Sequence, residues 1–165
     1  MSGLAFDVGD LVGHPGLYRQ VQGELGVKFE VGESTVDDNA VVNARLEWIS
    51  DGVLVTASAT TVVTHQCARC LTEWTGELEV RFTEMFARHP TEEQSGVNPD
   101  ATVDLGPVVH DELSLALPSD PICRPDCQGL CPTCGADLNV EPCAGHGDES
   151  ASPFAALKQL FEAET

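Results

Sequence analysis

Hydrophobic and polar residues alternate with a period of two over much of the first half of the chain. Leu25, Val27, Phe29 and Val31 are separated by Gly26, Lys28 and Glu30, and the alternation returns at Val42, Ala44, Leu46 and Trp48. Such a period places successive side chains on opposite faces of an extended backbone, so each run predicts a strand with one buried face. Asp51-Gly52 then separates Leu46–Ile49 from the β-rich run Val53 to His65, and this turn signal predicts a hairpin. The second strand of that hairpin leads straight into Cys67. Beyond Cys70, Leu78, Val80 and Phe82 alternate with Glu77, Glu79, Arg81 and Thr83, which predicts another strand and puts Cys67 and Cys70 at a hairpin tip.

The pattern changes in the second half. His89 to Asp100 lacks periodicity and is rich in proline and acid, as expected of a mobile surface loop. Leu105, Val108, Val109, Leu113 and Ala116 fall near helical spacing, with Asp104 as the expected N-cap and Pro118 as a stop, predicting one short amphipathic helix. Near the end, Ser152-Pro153 supplies a cap and a first-turn proline ahead of a stripe of Phe154, Leu157, Leu160 and Phe161, predicting a second helix. A helix this short is marginal alone in water, so its stripe must dock on the sheet or on a partner.

Seven cysteines add chemistry to this frame. Five fall in Cys123-x₃-Cys127-x₃-Cys131-x₂-Cys134-x₈-Cys143, and the other two form Cys67-x₂-Cys70. The opening MSGLAFDVGDLVGHPG has no basic n-region, sustained apolar stretch or small-residue cleavage signal, so the expectation is a cytoplasmic protein whose thiols stay reduced. Reduced cysteines in CxxC-like pairs point to metal ligation. Two thiolates on a CxxC turn suit one ion at about 2.3 Å from each sulfur. Cys131-Pro132-Thr133-Cys134-Gly135 has the form of a zinc knuckle, the glycine permitting a positive φ after the second ligand. With His146 there are eight ligands, Cys67, Cys70, Cys123, Cys127, Cys131, Cys134, Cys143 and His146, enough for two closed structural Zn²⁺ sites. Two partitions fit the spacing. Cys67, Cys70, Cys123 and Cys127 form one set and Cys131, Cys134, Cys143 and His146 the other, or Cys123, Cys127, Cys131 and Cys134 form a compact knot and the remaining four take the second ion.

Other chemistries compete with this reading. A redox dithiol at Cys67 and Cys70, with Arg69 lowering a thiol pKa, would belong where a strand feeds a helix, whereas strands flank it here. An iron–sulfur cluster suits a histidine ligand and a knuckle glycine less well than zinc does. No HExxH helix, phosphate-binding glycine loop or nucleophile elbow occurs, so the chain does not read as an enzyme. His65, just ahead of Cys67, reads as a packing residue beside the ligands, and Trp48 and Trp74 as core or hairpin aromatics. The fold expected is thus α+β, a mainly antiparallel β-sheet with two short helices and a zinc-stapled C-terminal segment. Residues 1–122 make the sheet domain with its CxxC hairpin and helix, and 123–165 the cysteine-rich tail and C-terminal helix.

Charge limits the partners. The formal net charge is −19, and the eight basic residues are scattered without a cluster. Nucleic-acid affinity begins with clustered cations neutralising phosphates, so autonomous DNA or RNA binding is disfavoured and a basic protein partner fits better. No stretch approaches the roughly 18 consecutive apolar residues of a membrane span.

Three segments, CARCL at 67–71, VDLGPVVHDELSLALP at 103–118 and CRPDCQGLCPTCGADLN at 123–139, together resemble the YceD family, the large ribosomal RNA subunit accumulation proteins. The resemblance runs from about Phe6 to the closing SPFAALKQL. It implies a bacterial or plastid factor needed for accumulation or processing of 23S ribosomal RNA, without defining a mechanism. The family's CxRC falls on Cys67, Arg69 and Cys70, and its cysteine-rich tail on Cys123, Cys127, Cys131 and Cys134. Where many members end the tail with C-x-C, this chain has Cys143-x-x-His146. The function expected is ribosome biogenesis through binding: the acidic body engages a basic ribosomal protein or a large-subunit assembly intermediate, and Arg69 and Arg81 near the hairpin supply a local positive spot. Direct rRNA binding is the alternative, and a thiol-disulfide protein using Cys67 and Cys70 the third.

Overall fold

A computed structural model of the chain describes residues 3–92, 94–143 and 145. Six strands and one helix follow in the order β1 (Ala5–Asp7), β2 (Tyr18–Val31), β3 (Ser34–Ile49), β4 (Gly52–Gln66), β5 (Glu73–Ala87), β6 (Thr102–Asp104) and α1 (Gly106–Ala116). Strands β2 to β5 form an antiparallel meander in sequence order. The alternation in the sequence is the inside–outside alternation of this sheet. Val53, Val55, Ala57, Ala59, Val63 and His65 of β4 are buried, as are Val36, Ala40, Val42, Ala44, Leu46 and Trp48 of β3. The opposite face carries Gln20, Asn43, Arg45, Thr56, Ser58 and Arg81. A register shift on β3 between Val36 and Val41 inserts extra residues without exchanging the two faces.

The second half of the core comes from helix α1 and from two strands too short to print a period. β1 pairs antiparallel with β6, Phe6 opposite Val103, and the residues around this pair bury Leu4, Val8, Leu11 and Leu105. Helix α1 buries Val109 and Leu113, four residues apart on one face, and touches both β5 and β2, so the sheet curves around it. The ring of His110 on α1 lies 4.7 Å from that of Phe29 on β2.

Several expectations need correction. Leu105, not Asp104, occupies the N-cap position, with no side-chain cap. Asp104 works one residue earlier: its Oδ1 accepts the N–H groups of Gly106 at 2.9 Å and Leu4 at 3.1 Å, clamping the helix start to the N-terminal segment. The expected surface loop is tied to the end of β5, where Ala87 donates to the Ser95 carbonyl and receives the Val97 N–H. Only one helix lies among the described residues; the second, expected at residues 153–161, lies outside them, as does His146. The β3–β4 turn is made by Ser50 and Asp51, with Gly52 already paired to Ile49. Gly52 is required for space, not for left-handed backbone: a Cβ there would sit 2.1 Å from the Phe86 carbonyl oxygen.

A candidate metal centre built from two cysteine clusters

The β4–β5 turn presents Cys67 and Cys70 within a tight loop. Leu71 N–H bonds the Cys67 carbonyl at 2.9 Å and Cys67 N–H bonds the Thr72 carbonyl at 2.9 Å. The tail repeats this arrangement, with Gly135 N–H on the Cys131 carbonyl at 2.9 Å and Cys131 N–H on the Ala136 carbonyl at 2.8 Å. The residue after the second cysteine is left-handed in both turns, Gly135 at φ +73° and Leu71 at φ +60°. Glycine takes that conformation freely, whereas a leucine pays roughly 1–2 kcal/mol for it. Leu71 is 54% exposed and so has little packing to lose. Leu71→Gly should therefore leave stability unchanged or raise it by up to about 1 kcal/mol; a lower denaturation midpoint would show that the leucine side chain holds the turn.

Two groups of sulfur atoms result. Cys67, Cys70, Cys123 and Cys127 converge, as do Cys131, Cys134 and Cys143, with all sulfurs of a group within 4.8 Å of one another. Cys67 and Cys127 are 3.9 Å apart, Cys70 and Cys123 3.7 Å, and Cys134 and Cys143 3.6 Å. Disulfide sulfurs would be near 2.05 Å. A tetrahedron with metal–sulfur bonds of about 2.3 Å has edges of about 3.8 Å, so these spacings suit a shared ion. The compact tail-only knot of Cys123, Cys127, Cys131 and Cys134 is not what the chain forms: Cys123 and Cys127 lie with the hairpin pair.

Backbone contacts explain this grouping. Ala68 N–H donates to the Pro121 carbonyl at 2.8 Å, Leu130 N–H to the Arg69 carbonyl at 3.0 Å, and Arg69 Nη1 to the Cys127 carbonyl at 2.9 Å. The tail is thus laid along the turn on both sides of Cys123 and Cys127. Gly129, at φ +75°, lets its backbone pass where a Cβ would meet the Arg69 carbonyl oxygen at 3.0 Å. The two arginines expected to share a positive spot stand apart. Arg69 spends its guanidinium on the tail, and Arg81 lies opposite Ser58, well along the strand from the turn, paired with Glu79.

Electrostatics distinguish the thiols. Backbone N–H groups of Cys123, Cys70 and Arg69 hold Cys67 down at about 6, and those of Cys134 and Thr133 hold Cys131 at about 6. Hydrogen bonding with Thr72 lowers Cys70. Burial, then the neighbouring sulfurs, pushes Cys123 up to about 12. At Cys143 the Gly145 N–H pulls the pKa down, but Cys134, burial and Cys131 together push it above the usual thiol value. Each cluster thus has a preformed thiolate and a neighbour that resists ionising beside it. A dication held there would remove that conflict by supplying the charge that lets the clustered thiols deprotonate. His65 stays outside the sulfur groups, its Nδ1 2.7 Å from Ser34 Oγ and its ring 4.5 Å from Trp74. Burial lowers its pKa, which favours the neutral ring expected of a packing residue.

In the first cluster Cys67, Cys70 and Cys127 are buried and Cys123 is partly buried, while in the second Cys134 is exposed. Sequence spacing singled out all seven of these cysteines but carried no sign of Asn139, whose Nδ2 donates to Cys127 Sγ at 3.6 Å.

Fold and site define a curved antiparallel β-sheet protein whose tail is gathered onto a hairpin tip by clustered cysteines. The profile described as large ribosomal RNA subunit accumulation protein YceD matches residues 55–161, and the chain belongs to that family. Among curated relatives, an uncharacterized protein of Mycobacterium tuberculosis is 34% identical over 176 aligned positions covering 99% of this chain and 84% of the relative. An uncharacterized protein of Mycobacterium leprae is 34% identical over 167, covering 94% and 76%. A maize protein named large ribosomal RNA subunit accumulation protein YCED homolog 1, chloroplastic, is 32% identical over 63 residues, 38% of this chain and 22% of that one. No solved structure matches. Among the described residues no helix is long and apolar enough to cross a membrane.

Proposed function

We propose that this protein is a non-enzymatic, zinc-stapled cytoplasmic factor that supports accumulation of large-subunit ribosomal RNA by docking on a basic ribosomal protein or an assembling large-subunit particle. The family description supplies the process. Zinc is the ion that a closed four-thiolate tetrahedron suits best, and it would be held by Cys67, Cys70, Cys123 and Cys127, with a second ion on Cys131, Cys134, Cys143 and His146. The ion's part is mechanical: it fixes the tail against the hairpin, and the protein's own surface does the recognising.

The observation that carries the choice of partner is the state of the cations. Arg19, Lys28, Arg45, Arg81 and Arg124 pair with Asp10, Asp37, Glu47, Glu79 and Asp126, and Arg69 is committed to a backbone carbonyl. Five of the eight basic residues already face a carboxylate, against 27 acidic residues in the chain, which disfavours phosphates as the partner. Direct rRNA contact is the second reading, favoured by a shallow depression on the outer sheet face where Gln20, Gln22, Asn43 and Ser58 surround Arg45, itself stacked 3.8 Å over Tyr18.

Two measurements test the proposal. In a strain lacking the protein, sucrose-gradient profiles should show fewer large subunits and an accumulated precursor; an unchanged profile would remove the process. Tagged protein should retain its large-subunit partner at moderate salt after ribonuclease treatment, and loss of the partner would transfer the function to direct rRNA binding.

A further inference from the structure

The segment that leaves the second cysteine turn does not run away from the first cluster but returns to it. Leu138 N–H donates to the Gly129 carbonyl at 3.0 Å, and Leu130 bridges Asp137 in antiparallel fashion. This places Asn139, which lies between Cys134 and Cys143 in sequence, against Cys127 of the other cluster. Its Nδ2 donates to Cys127 Sγ at 3.6 Å and to Asp137 Oδ1 at 2.7 Å. Its Oδ1 accepts from Gln128 N–H at 2.8 Å and Arg124 Nη2 at 2.9 Å. The amide is therefore fixed at both ends. Asp137 orients it further by accepting the Asn139 backbone N–H at 2.9 Å.

We propose that Asn139 is a positioning residue that couples the two metal sites, its amide N–H stabilising the Cys127 thiolate while an ion on Cys131, Cys134 and Cys143 braces the 137–139 segment that carries it. The inference rests on the metal reading above. An N–H donated to a ligating thiolate relieves excess negative charge on the four-sulfur site, and such outer contacts are worth about 10- to 100-fold in affinity. Because coupling is reciprocal, an ion in the first site strengthens the second by the same factor. The closed hairpin site thereby senses the occupancy of the exposed tail site.

Anaerobic titration of the full chain with Co²⁺, read by its sulfur charge-transfer and d–d bands and competed with Zn²⁺, tests this with four proteins. In the parent two ions should bind. Cys143→Ser, which disables the tail site, should weaken the hairpin site about tenfold. Asn139→Asp keeps the oxygen that accepts from Gln128 and Arg124 but loses the donor to sulfur, so it should weaken the hairpin site as much or more. In the double variant the Cys143→Ser effect should vanish, the signature of one shared interaction. Near-parental affinity in Asn139→Asp, or additive losses in the double variant, would overturn the coupling while leaving two metal sites intact. A parent that binds no cobalt would instead remove the metal reading itself. Circular dichroism of each variant identifies any that fails to fold, for which Asn139→Ala, expected to lose tenfold as well, replaces Asn139→Asp.

Discussion

Cys67→Ser should bind one metal ion per chain in place of two and unfold at least about 10 °C below the parent protein. Cys67 is fully buried, and it is the thiol on which the backbone N–H groups of Cys123, Cys70 and Arg69 converge. Serine keeps the shape but supplies a hard, weakly acidic oxygen to a site of soft thiolates, so the remaining three cysteines face one another without the ion that offsets their charge. The damage extends beyond the turn, because the four cysteines join the sheet to the tail. Cys134→Ser should cost less, since Cys134 is exposed and its cluster borders fewer packed residues. Elemental analysis and thermal melts read both numbers. Two ions retained in Cys67→Ser would mean that the hairpin thiol is not a ligand, and the fastening assigned to it would have to come from the hydrogen bonds of Arg69 and Ala68 alone.

Gly52→Ala should destabilise the protein by about 3 kcal/mol or more, among the largest effects available to a single methyl group. The position is buried at the start of β4, and the added carbon would fall 2.1 Å from the Phe86 carbonyl oxygen and 3.0 Å from the Ala87 Cα of the adjacent strand. Neither atom can yield as a flexible side-chain tip could, because both belong to paired backbone: Gly52 opposes Ala87 and Val53 opposes Phe86. Relief requires β4 and β5 to separate at this end, which also loosens the contacts that hold Ser95 and Val97 to Ala87. Urea denaturation of Gly52→Ala beside Gly26→Ala, at an exposed strand position with only the Asn39 side chain nearby, separates steric cost from the general loss of a glycine. Equal midpoints for the two variants would contradict the steric account.

The meander was legible because burying one face of an antiparallel sheet writes a period of two directly into the sequence, most plainly at Val53, Val55, Ala57 and Ala59. The strands extend further than their hydrophobic runs because Thr, Gly and Trp74 continue the alternation without strong hydropathy. β1 and β6 were not legible: three residues cannot display a period, and each is a strand only because the other lies beside it. Gly52 marked the right turn for the wrong reason, since a sequence shows that glycine is present but not which carbonyl will pass it. Leu71 hid a knuckle geometry that Gly135 advertised. The cysteines marked a candidate metal site through type and spacing, yet two partitions satisfied the arithmetic. Pairing by the Arg69 and Ala68 backbone chose between them, and that depends on where the tail returns in space. Asn139 gave no signal because an asparagine four residues beyond a knuckle glycine is ordinary until its amide is seen on a sulfur.

The hairpin site draws ligands 53 and 60 residues apart in the chain. Translation proceeds at about 5–20 residues per second, so a nascent chain would carry Cys67 and Cys70 for roughly 3–12 s before their partners are synthesised. During that interval the turn offers an ion only half a coordination sphere. On the proposed metal reading, closure of the hairpin site is therefore a late event of biosynthesis, and a shortage of its ion would be felt by newly made molecules well before it reached those already assembled.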